Sequence, residues 1–377
     1  MLPETTVAPA RRELQEAFWT VVDREVARMT TALIEAGLRE QQALAVGADW
    51  HQRSDARVGF RNGFYTRAIT TPHGHLTIRV PRLREGRLDT SFVFDRYQRR
   101  HADIDRVLRH VFLTGASTRD AATLAEQLWG SSLSHQAVSR MTRVLDDALQ
   151  AYRQGPIQPV YPVVQIDGLY VTVDGVKHVL MLVVGLREDG VRHVLDFSLG
   201  LGEDCRDLLW DLRRRGLEGV QLFVSDDAGT VESAVREVYP EVPWQTCVWH
   251  RLVRLWELLG PKDYRGPLVR EAARIFRCAS REVAGQVAQS WARRWQTWEP
   301  ELVRWFMNGL EDGLSFHHLP QRWWPRARTT SLTERLIRTL RMRLNLMGAF
   351  ANPHAALRAL FGQLLRWHLV PRITQTT

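Results

Sequence analysis

Three acidic residues stand at positions where a carboxylate suits a metal ion. Asp167 lies inside an apolar run that predicts a buried strand, Asp226 ends a second such run, and Glu334 falls in a later helical segment. A buried carboxylate is costly unless it is paired or bound to a metal, and clustered carboxylates are ligands for Mg²⁺. Two-metal phosphoryl transfer needs such a set to hold cations roughly 4 Å apart. The three acids are therefore candidates for that chemistry.

Each acid also has a structural explanation. Asp167 can pair with an arginine across a sheet. Asp226 can cap the helix that follows it, and Asp227 can then be the functional residue. Ser331-Leu-Thr-Glu334 fits a capping box, in which a glutamate bonds the N–H of the cap residue. Position alone leaves both explanations open.

A second group with metal-ligand chemistry is Cys247-Val-Trp-His250. One Cys-x-x-His pair is half of a zinc site. His317 and His318 could complete it, but no spacing requires them to do so. The motif alone does not predict a structural zinc.

The elements that must position these residues follow a linker at Gly155–Pro159. Three antiparallel strands, joined by turns at Asp174-Gly175 and Asp189-Gly190, precede a helix, a strand, a helix, a strand and a helix. The order βββαβαβα is that of a ribonuclease-H-like fold, an α/β or α+β core whose mixed sheet has helices on both faces. This order sets the strands of Asp167 and Asp226 side by side.

Residues 260–328 interrupt that pattern with helical, tryptophan-rich sequence. Trp291, Trp295, Trp298 and Trp305 follow helical spacing, which favours packing in a core over stacking on bases. We interpret the segment as an all-α insertion, after which two helices complete the core.

The N-terminal part is predicted to be mainly helical. Residues 11–46 have the apolar spacing of one amphipathic helix or two. Residues 57–84 are extended, with a hairpin signal at Arg61-Asn62-Gly63. Helices return from Asp103 to Tyr152 in three stretches.

Two of these helices resemble a helix-turn-helix, with an ordinary helical hairpin as the alternative. Ser117 can cap a helix Thr118–Trp129, and Ser134 can cap a second helix, His135–Leu149. In this motif the second helix presents its N-terminal residues to base edges in the major groove. Those residues are His135, Gln136, Ser139, Arg140 and Arg143.

The charge of the chain predicts a polyanionic partner. The formal net charge is +9, the sequence pI is about 10.0, and all but two of the 51 basic residues are arginines. Arginine suits bidentate phosphate contacts, so nucleic acid is the simplest partner. The excess lies between Arg53 and Arg109, with 13 arginines against six acids, and after Gly313, with ten against Glu334 alone.

Composition excludes several classes of protein. No apolar run approaches the roughly 20 residues of a membrane-spanning helix, and no secretory signal is visible. Three scattered cysteines do not form a disulfide framework. We expect a cytoplasmic protein with no membrane contact.

Short motifs occur in a specific order between about Arg57 and Pro353. They are Arg61-Asn-Gly-Phe-Tyr65, Val80-Pro-Arg-Leu-Arg84, Tyr97-Gln-Arg99, Gly115-Ala-Ser-Thr-Arg-Asp120, Tyr161-Pro-Val-Val-Gln-Ile-Asp-Gly168, Val224-Ser-Asp226, Trp244-Gln-Thr-Cys-Val-Trp-His250 and Thr329-Thr-Ser-Leu-Thr-Glu-Arg335. Each motif is weak alone, but in this order and spacing the chain resembles the Mutator-like family of bacterial insertion-sequence transposases, members of the DDE superfamily.

The resemblance implies a catalytic DDE triad of Asp167, Asp226 and Glu334, with Cys247 and His250 near the site in an unassigned role. It implies binding of terminal inverted repeats, Mg²⁺-dependent cleavage that frees a 3′ hydroxyl, and attack of that hydroxyl on target DNA. Two Mg²⁺ ions are expected, with Mn²⁺ as a substitute, and the partner is double-stranded DNA held by a homodimer or larger assembly. Arg335 is expected to be a neighbour of the active site. The further residues expected to contact DNA are Arg61, Arg82, Arg84, Arg119, Arg338, Arg341 and Arg343.

The alternative function is a transposase-derived DNA-binding protein without catalytic activity. The chain departs from the family pattern at Thr246, where arginine is usual, and at Ser331, where asparagine is usual. A serine or tyrosine recombinase is not favoured, because no clustered nucleophile with an arginine set is present. The predicted domains are an N-terminal helical region (1–52), a basic hairpin segment (53–100), a helix-turn-helix region (101–155), the first part of the core (156–259), the insertion (260–328) and the C-terminal core helices (329–377).

Overall fold

The computed structural model describes residues 7–94, 99–130, 133–200, 203–226 and 229–371. Tyr97, Gln98, Asp227 and the side chain of His135, all named above, lie outside the described residues. The chain divides into two compact units, and the six predicted domains are a finer division that stays a prediction. Unit 1 comprises Met1–Phe112 with Ala116–Thr142, and unit 2 comprises Leu113–Gly115 with Arg143–Thr377.

Unit 1 contains a long helix, a two-stranded hairpin and three shorter helices. Its elements are α1 (Val7–Val46), β1 (Arg61–Thr71), β2 (Gly74–Leu83), α2 (Ala102–Leu113), α3 (Thr118–Trp129) and α4 (His135–Thr142). The N-terminal segment thus forms one helix, not two. Its C-terminal part buries Leu38 against Ile69 and Ile78 of the hairpin.

The hairpin turns at a different place from the one predicted. β1 and β2 pair antiparallel up to Thr71 and Gly74, so the turn lies at residues 72–73 and the prediction at Asn62-Gly63 is wrong. The pairing register shifts between Arg61 and Phe64, and Gly63 has a φ of 71°. An Asn-Gly pair supplies a positive φ, which an irregularity in a strand uses as readily as a hairpin turn.

The two helices predicted to form a helix-turn-helix begin at the predicted caps. Ser117 and Asp120 form a capping box at the start of α3, and the Ser134 hydroxyl accepts a hydrogen bond from the Ala137 N–H at 3.2 Å. The second helix does not continue to Leu149 as predicted, because it is interrupted at Arg143.

The reason for the interruption is a change of core. Val138 of α4 packs with Ile104 and Ala121 in unit 1. The next helix, α5 (Val144–Gln154), buries Leu149 and Tyr152 and belongs to unit 2. Apolar periodicity continues through Arg143, so it does not reveal which core each half joins.

Unit 2 is built around a five-stranded mixed sheet. After α5 the elements are β3 (Val163–Val173), β4 (Val176–Leu186), β5 (Arg192–Leu199), α6 (Glu203–Arg214), β6 (Leu222–Ser225), α7 (Gly229–Val238), β7 (Trp244–Thr246) and α8 (Val248–Leu259). This is the predicted order βββαβαβα. The strand order is β5-β4-β3-β6-β7; β4 is antiparallel to β3 and β5, whereas β6 is parallel to β3 and β7.

Helices cover both faces of this sheet. On one face Val164, Ile166 and Phe223 pack with α6 and α7. On the other, Val163 and Val224 join the core of α8 and the helices that follow. The remaining helices of unit 2 are α9 (Arg265–Ile275), α10 (Arg281–Trp295), α11 (Pro300–Asn308), α12 (Leu310–Gly313), α13 (Trp324–Ala327), α14 (Ser331–Leu346) and α15 (Pro353–Arg366).

The tryptophans of the insertion are divided between core and surface. Trp291 and Trp295 are buried on α10, and Trp305 packs against the same core from α11. Trp298 lies in the turn between these helices with 64% of its surface exposed. The core interpretation is therefore confirmed for three of the four, but they do not form a stripe on one helix.

Within the described residues, no helix has both the length and the apolar composition that crossing a membrane requires.

Candidate active site

Asp167 lies in the middle of β3, and Asp226 directly follows the last residue of the parallel strand β6. The pairing of β3 with β6 ends at Gln165 and Val224, and two further residues along each strand bring Asp167 opposite Asp226. Residues two apart on a strand share a face. Both carboxylates therefore belong to the face that carries the insertion and α14, at the edge where α/β sheets commonly bind ligands.

Cys247 continues the same row on the third parallel strand. Ser225 of β6 pairs with Thr246 of β7, so the next residues, Asp226 and Cys247, are opposite each other. The Cys247 N–H donates to the Ser225 carbonyl at 2.6 Å, which extends the ladder by one bond. Two carboxylates and a thiol thus line one edge of the sheet.

The carboxylate of Asp167 is only partly satisfied by protein. Its Oδ1 accepts a hydrogen bond from the Gly168 N–H at 2.8 Å. Its Oδ2 is buried and has no hydrogen-bond partner in the described part of the chain. Burial raises the pKa of Asp167 to about 6, and the negative charges of Asp226 and Glu334 act in the same direction. No arginine is in an ion pair with it among the described residues, so the predicted structural alternative is not supported.

Glu334 comes from α14, whose first residue is Ser331. The N-cap is Thr330 and makes no side-chain cap hydrogen bond, so the capping box of Ser331 and Glu334, considered as the alternative explanation, is wrong. Ser331 lies one residue too far into the helix to serve as the cap. The Glu334 carboxylate instead faces His250, with Oε1 3.3 Å from Nε2.

His250 lies on α8, one helical turn after Cys247. The adjacent Cys247 side chain raises the pKa of His250 to about 9, helped by the charges of Asp167 and Glu334 and opposed by burial. At neutral pH the imidazole is therefore a cation among acidic groups. It balances part of their charge and contacts Glu334 directly.

The Cys247 sulfur accepts hydrogen bonds from the residue that caps α14. The Thr330 N–H is 3.3 Å from Sγ and the Thr330 hydroxyl is 3.4 Å from it. Among the described residues, one group offers three metal-ligand types close together: Cys247, His250 and Glu334, with ligand atoms within 4.8 Å of one another.

The two histidines considered for a zinc site lie elsewhere. The ring of His317 is 3.4 Å from the Cys278 carbonyl, and that of His318 is 2.9 Å from the Gln221 carbonyl. Neither is brought to Cys247, so the four-ligand zinc alternative has no support.

The basic residues predicted near the site on α14 divide into two groups. Arg335, Arg338 and Arg341 are exposed, and the last two lie four and seven residues after Glu334, on the same face of the helix. Arg343 instead donates to the Thr114 carbonyl at 3.3 Å. Arg343 thus has a structural contact, whereas the other three face solvent beside the acids.

The DNA contacts predicted in the hairpin and in the helices after it are mostly exposed. Gln136, Arg140 and Arg143 are exposed on or just after α4, and Ser139 is half-buried. Arg82, Arg84 and Arg119 are exposed as well. Arg61 differs, because its guanidinium donates to the Asp49 and Ala48 carbonyls and lies over the Trp50 ring. It holds the loop before the hairpin.

Unit 1 also contains a large cleft between the hairpin and α4. Its volume is about 2040 Å³, and Ser134, Ala137 and Arg140 form one side of it. The arginines along it are Arg67, Arg82, Arg87, Arg99, Arg100 and Arg140, against the acids Asp89 and Asp105. The net charge of the lining is therefore positive.

Gln165, two positions before Asp167, was not identified as a candidate from the sequence. Gln165 is fully buried and bonds the segment leading into α14. The signal was a polar residue in an otherwise apolar buried run, two positions before Asp167.

Comparison with known proteins identifies the family. The sequence profile described as "Transposase, Mutator family" matches residues 4–368. The chain belongs to the Mutator family of transposases. Membership implies DNA binding, DNA cleavage with strand transfer, and a divalent metal ion.

Three similar proteins illustrate the relationship. The transposase for insertion sequence element ISRM5 of Rhizobium meliloti (strain 1021) is 30% identical over 355 residues, covering 89% of this chain and 85% of that protein. The transposase for IS406 of Burkholderia multivorans is 29% identical, covering 86% of each. The transposase for IS256 in transposon Tn4001 of Staphylococcus aureus is 27% identical, covering 93% and 92%.

Proposed function

We propose that this insertion-sequence transposase binds terminal inverted repeats and uses Asp167, Asp226 and Glu334 to cleave and transfer DNA strands. The observation that carries the proposal is geometric: the register of β3 and β6 brings Asp167 beside Asp226, and Gln165 of β3 bonds the start of the helix that carries Glu334. The Asp167 carboxylate is buried close to the charges of two further acids, and its Oδ2 has no hydrogen-bond partner among the described residues. Such an arrangement is unfavourable unless cations bind there.

The topology of unit 2 supports a ribonuclease-H-like assignment for this core. Three antiparallel strands precede two strands parallel to the first of them, and helices cover both faces. The acids lie on the first and fourth of these strands and on a helix after the insertion. This distribution fits the DDE arrangement inferred from the motifs.

The residues present fit divalent cations. Asp167 Oδ2 is a buried acceptor with no hydrogen-bond partner in the described chain, and oxygen donors of this kind are what Mg²⁺ and Mn²⁺ take. Asp167, Asp226 and Glu334 would hold the ions. When bound, such ions neutralise charge at the phosphate and activate the attacking oxygen. His250 keeps Glu334 directed toward the acids.

Two surfaces suit DNA. The cleft of unit 1 places Arg140 of α4 beside the arginines of the hairpin segment, so base-edge and phosphate contacts can be made by one surface. On α14 the exposed Arg338 and Arg341 lead away from Glu334 and are suited to phosphates next to the scissile bond. Joining two ends of one element requires at least two copies of the protein on the DNA.

The test is cleavage of labelled DNA that carries the ends of the insertion sequence from which the gene comes. We expect nicked and strand-transfer products with Mg²⁺ or Mn²⁺ and none with EDTA, while Asp226→Asn binds the same DNA without cutting it. End binding without any metal-dependent product from the unaltered protein would instead indicate a DNA-binding protein that has lost catalysis. Light scattering of the protein–DNA complex gives the number of copies.

A further inference from the structure

Gln165 connects the strand that carries Asp167 to the helix that carries Glu334. Its Nε2 donates to the Arg326 carbonyl at 2.8 Å and to the Thr329 carbonyl at 2.9 Å. Its Oε1 accepts from the Thr333 hydroxyl at 2.7 Å and from the Thr333 N–H at 3.3 Å. The side-chain amide is therefore fully used.

All of these bonds end in the segment that leads into α14 or in its first turn. The Thr333 N–H is one of the first amide groups of the helix, which have no partner within it. Thr330, the N-cap, makes no side-chain cap hydrogen bond. Gln165 thus supplies from the sheet a bond that a capping residue would otherwise make, directly before Glu334.

The hydrogen bonds of Gln165 connect the strand of Asp167 to the helix of Glu334. Gln165 and Asp167 are two residues apart on β3 and share a face, and Thr333 and Glu334 are consecutive on α14. Movement of α14 along the sheet would change the separation of the two carboxylates. The four hydrogen bonds of Gln165 oppose that movement.

We propose that Gln165 is a positioning residue for the metal site: it sets the distance between Asp167 and Glu334 and thereby the affinity for divalent cations. The inference rests on the proposed function and deepens it, since Gln165 itself touches no substrate. Partners that orient metal ligands typically account for about 10–100-fold in metal affinity. Loss of Gln165 should therefore weaken metal binding, not only lower the rate.

Gln245 is a matched control within the same fold. It too is fully buried, it lies on β7, and it joins the sheet to the helices above. Its Nε2 donates to the Gly313 carbonyl at 2.8 Å and its Oε1 accepts from the Phe316 N–H at 2.9 Å. These bonds reach the insertion and not α14, so Gln245 supports the fold without holding Glu334.

The experiment measures Mn²⁺ binding to the full chain by electron paramagnetic resonance of the free ion, together with urea unfolding of each variant. Gln165→Met and Gln245→Met should both lower the free energy of unfolding, because each leaves buried polar groups unpaired. Only Gln165→Met should weaken Mn²⁺ binding by about tenfold or more. Equal Mn²⁺ affinity in the two variants would overturn the proposal.

A milder variant guards against loss of folding. Thr333→Val removes the hydroxyl that donates to Gln165 and keeps the backbone N–H, so it should weaken Mn²⁺ binding in the same direction. Combined with Gln165→Met it should add little, because both remove the same interaction; full additivity would contradict the link.

Asp167→Asn tests whether the proposed metal site exists, independently of the role of Gln165. If the unaltered protein binds Mn²⁺ no better than Asp167→Asn, the proposed function itself fails, whatever Gln165 does.

Discussion

Glu334 illustrates how much of the site depends on one side chain. It is the only acidic residue from Gly313 to the C-terminus, so no nearby acid on its own segment can replace it. Its carboxylate is half-buried and contacts His250. Because Glu334 does not cap its helix, the proposed metal site is the remaining explanation for an acid at this position.

Replacement of Glu334 by glutamine should separate structure from catalysis. The amide has nearly the same shape and can still contact His250, but it carries no negative charge to offset cations beside a phosphate. We expect an unchanged melting temperature, unchanged binding to element ends, and cleavage lower by orders of magnitude. Thermal unfolding, DNA binding and cleavage of labelled ends measure the three quantities, and near-normal cleavage would remove Glu334 from the triad.

Ionisation of Asp167 should be visible in the stability of the metal-free protein. Burial raises its pKa to about 6 in the folded state, above its value of about 4 in an unfolded chain. The free energy of unfolding is therefore highest below about pH 4, where Asp167 is protonated in both states. It falls as the pH rises through 6, because the folded protein must then hold a buried charge. Asparagine does not ionise and does not show this loss.

Relative to the unaltered protein in EDTA, Asp167→Asn is thus expected to gain on the order of 2–3 kcal/mol of unfolding free energy between pH 4 and pH 8. Urea unfolding of both proteins at the two pH values gives the comparison. Mn²⁺ should stabilise the unaltered protein more than the variant. A difference in unfolding free energy that does not change with pH would show that Asp167 is not destabilised by its charge.

The strand positions of Asp167 and Asp226 could be predicted from the sequence, whereas the contacts of Gln165 with the segment before α14 could not. Asp167 and Asp226 were visible because each interrupts or ends an apolar strand, and adjacent strands follow from the element order. Gln165 was visible as a polar residue, but its partner Arg326 is 161 residues away in the chain. Local patterns carry no information on such a contact.

Among the elements, the tryptophan-bearing helices show what periodicity can and cannot predict. Helical spacing indicated a core, and Trp291 and Trp295 are indeed buried on α10. The same spacing runs across the turn before Pro300 and includes Trp298, which is exposed. Likewise, strand register determines that Asn62-Gly63 forms an irregularity in a strand and not a hairpin turn. The cores that α4 and α5 join determine the break at Arg143. Such choices depend on the tertiary structure.

Two tryptophan variants test the assignment of core and surface in the insertion. Trp291→Ala should lower the free energy of unfolding of unit 2 by about 3–5 kcal/mol, because a large buried ring is lost, together with its hydrogen bond to the Leu268 carbonyl (3.1 Å). Trp298→Ala should cost less than about 1 kcal/mol, as an exposed side chain does. Urea unfolding followed by circular dichroism measures both, and similar losses would contradict the division.

For the whole molecule, the basic segment and the candidate acidic site lie in different units. Unit 1 contains the hairpin, the predicted helix-turn-helix and the arginine-lined cleft, and unit 2 contains Asp167, Asp226 and Glu334. Their boundary was not predictable, since unit 2 includes Leu113–Gly115 from within the helical region. The Gln363 side chain donates to the Leu113 carbonyl at 2.7 Å, a contact 250 residues apart in sequence.

Two arginines of unit 1 should affect DNA binding in different ways. Arg140→Ala removes a candidate base contact and should reduce the preference for element ends over random DNA by about 1–3 kcal/mol, and Gln136→Ala should act in the same sense. Arg84→Ala removes a candidate phosphate contact, so it should weaken binding to both DNAs and lower the salt slope by about 1. Binding titrations at several salt concentrations distinguish them; an unchanged preference in Arg140→Ala would refute the recognition-helix assignment.

The order of the three acids along the chain determines when each of them is synthesised. Unit 1 ends at Thr142 and Asp167 follows soon after, but Glu334 is separated from both by the whole insertion. Domains fold as they leave the ribosome, and at about 5–20 residues per second the passage from Asp167 to Glu334 takes on the order of 10–30 s. If unit 1 binds DNA and Glu334 completes the triad, as proposed, a growing chain is able to hold DNA during that interval before it is able to cut it.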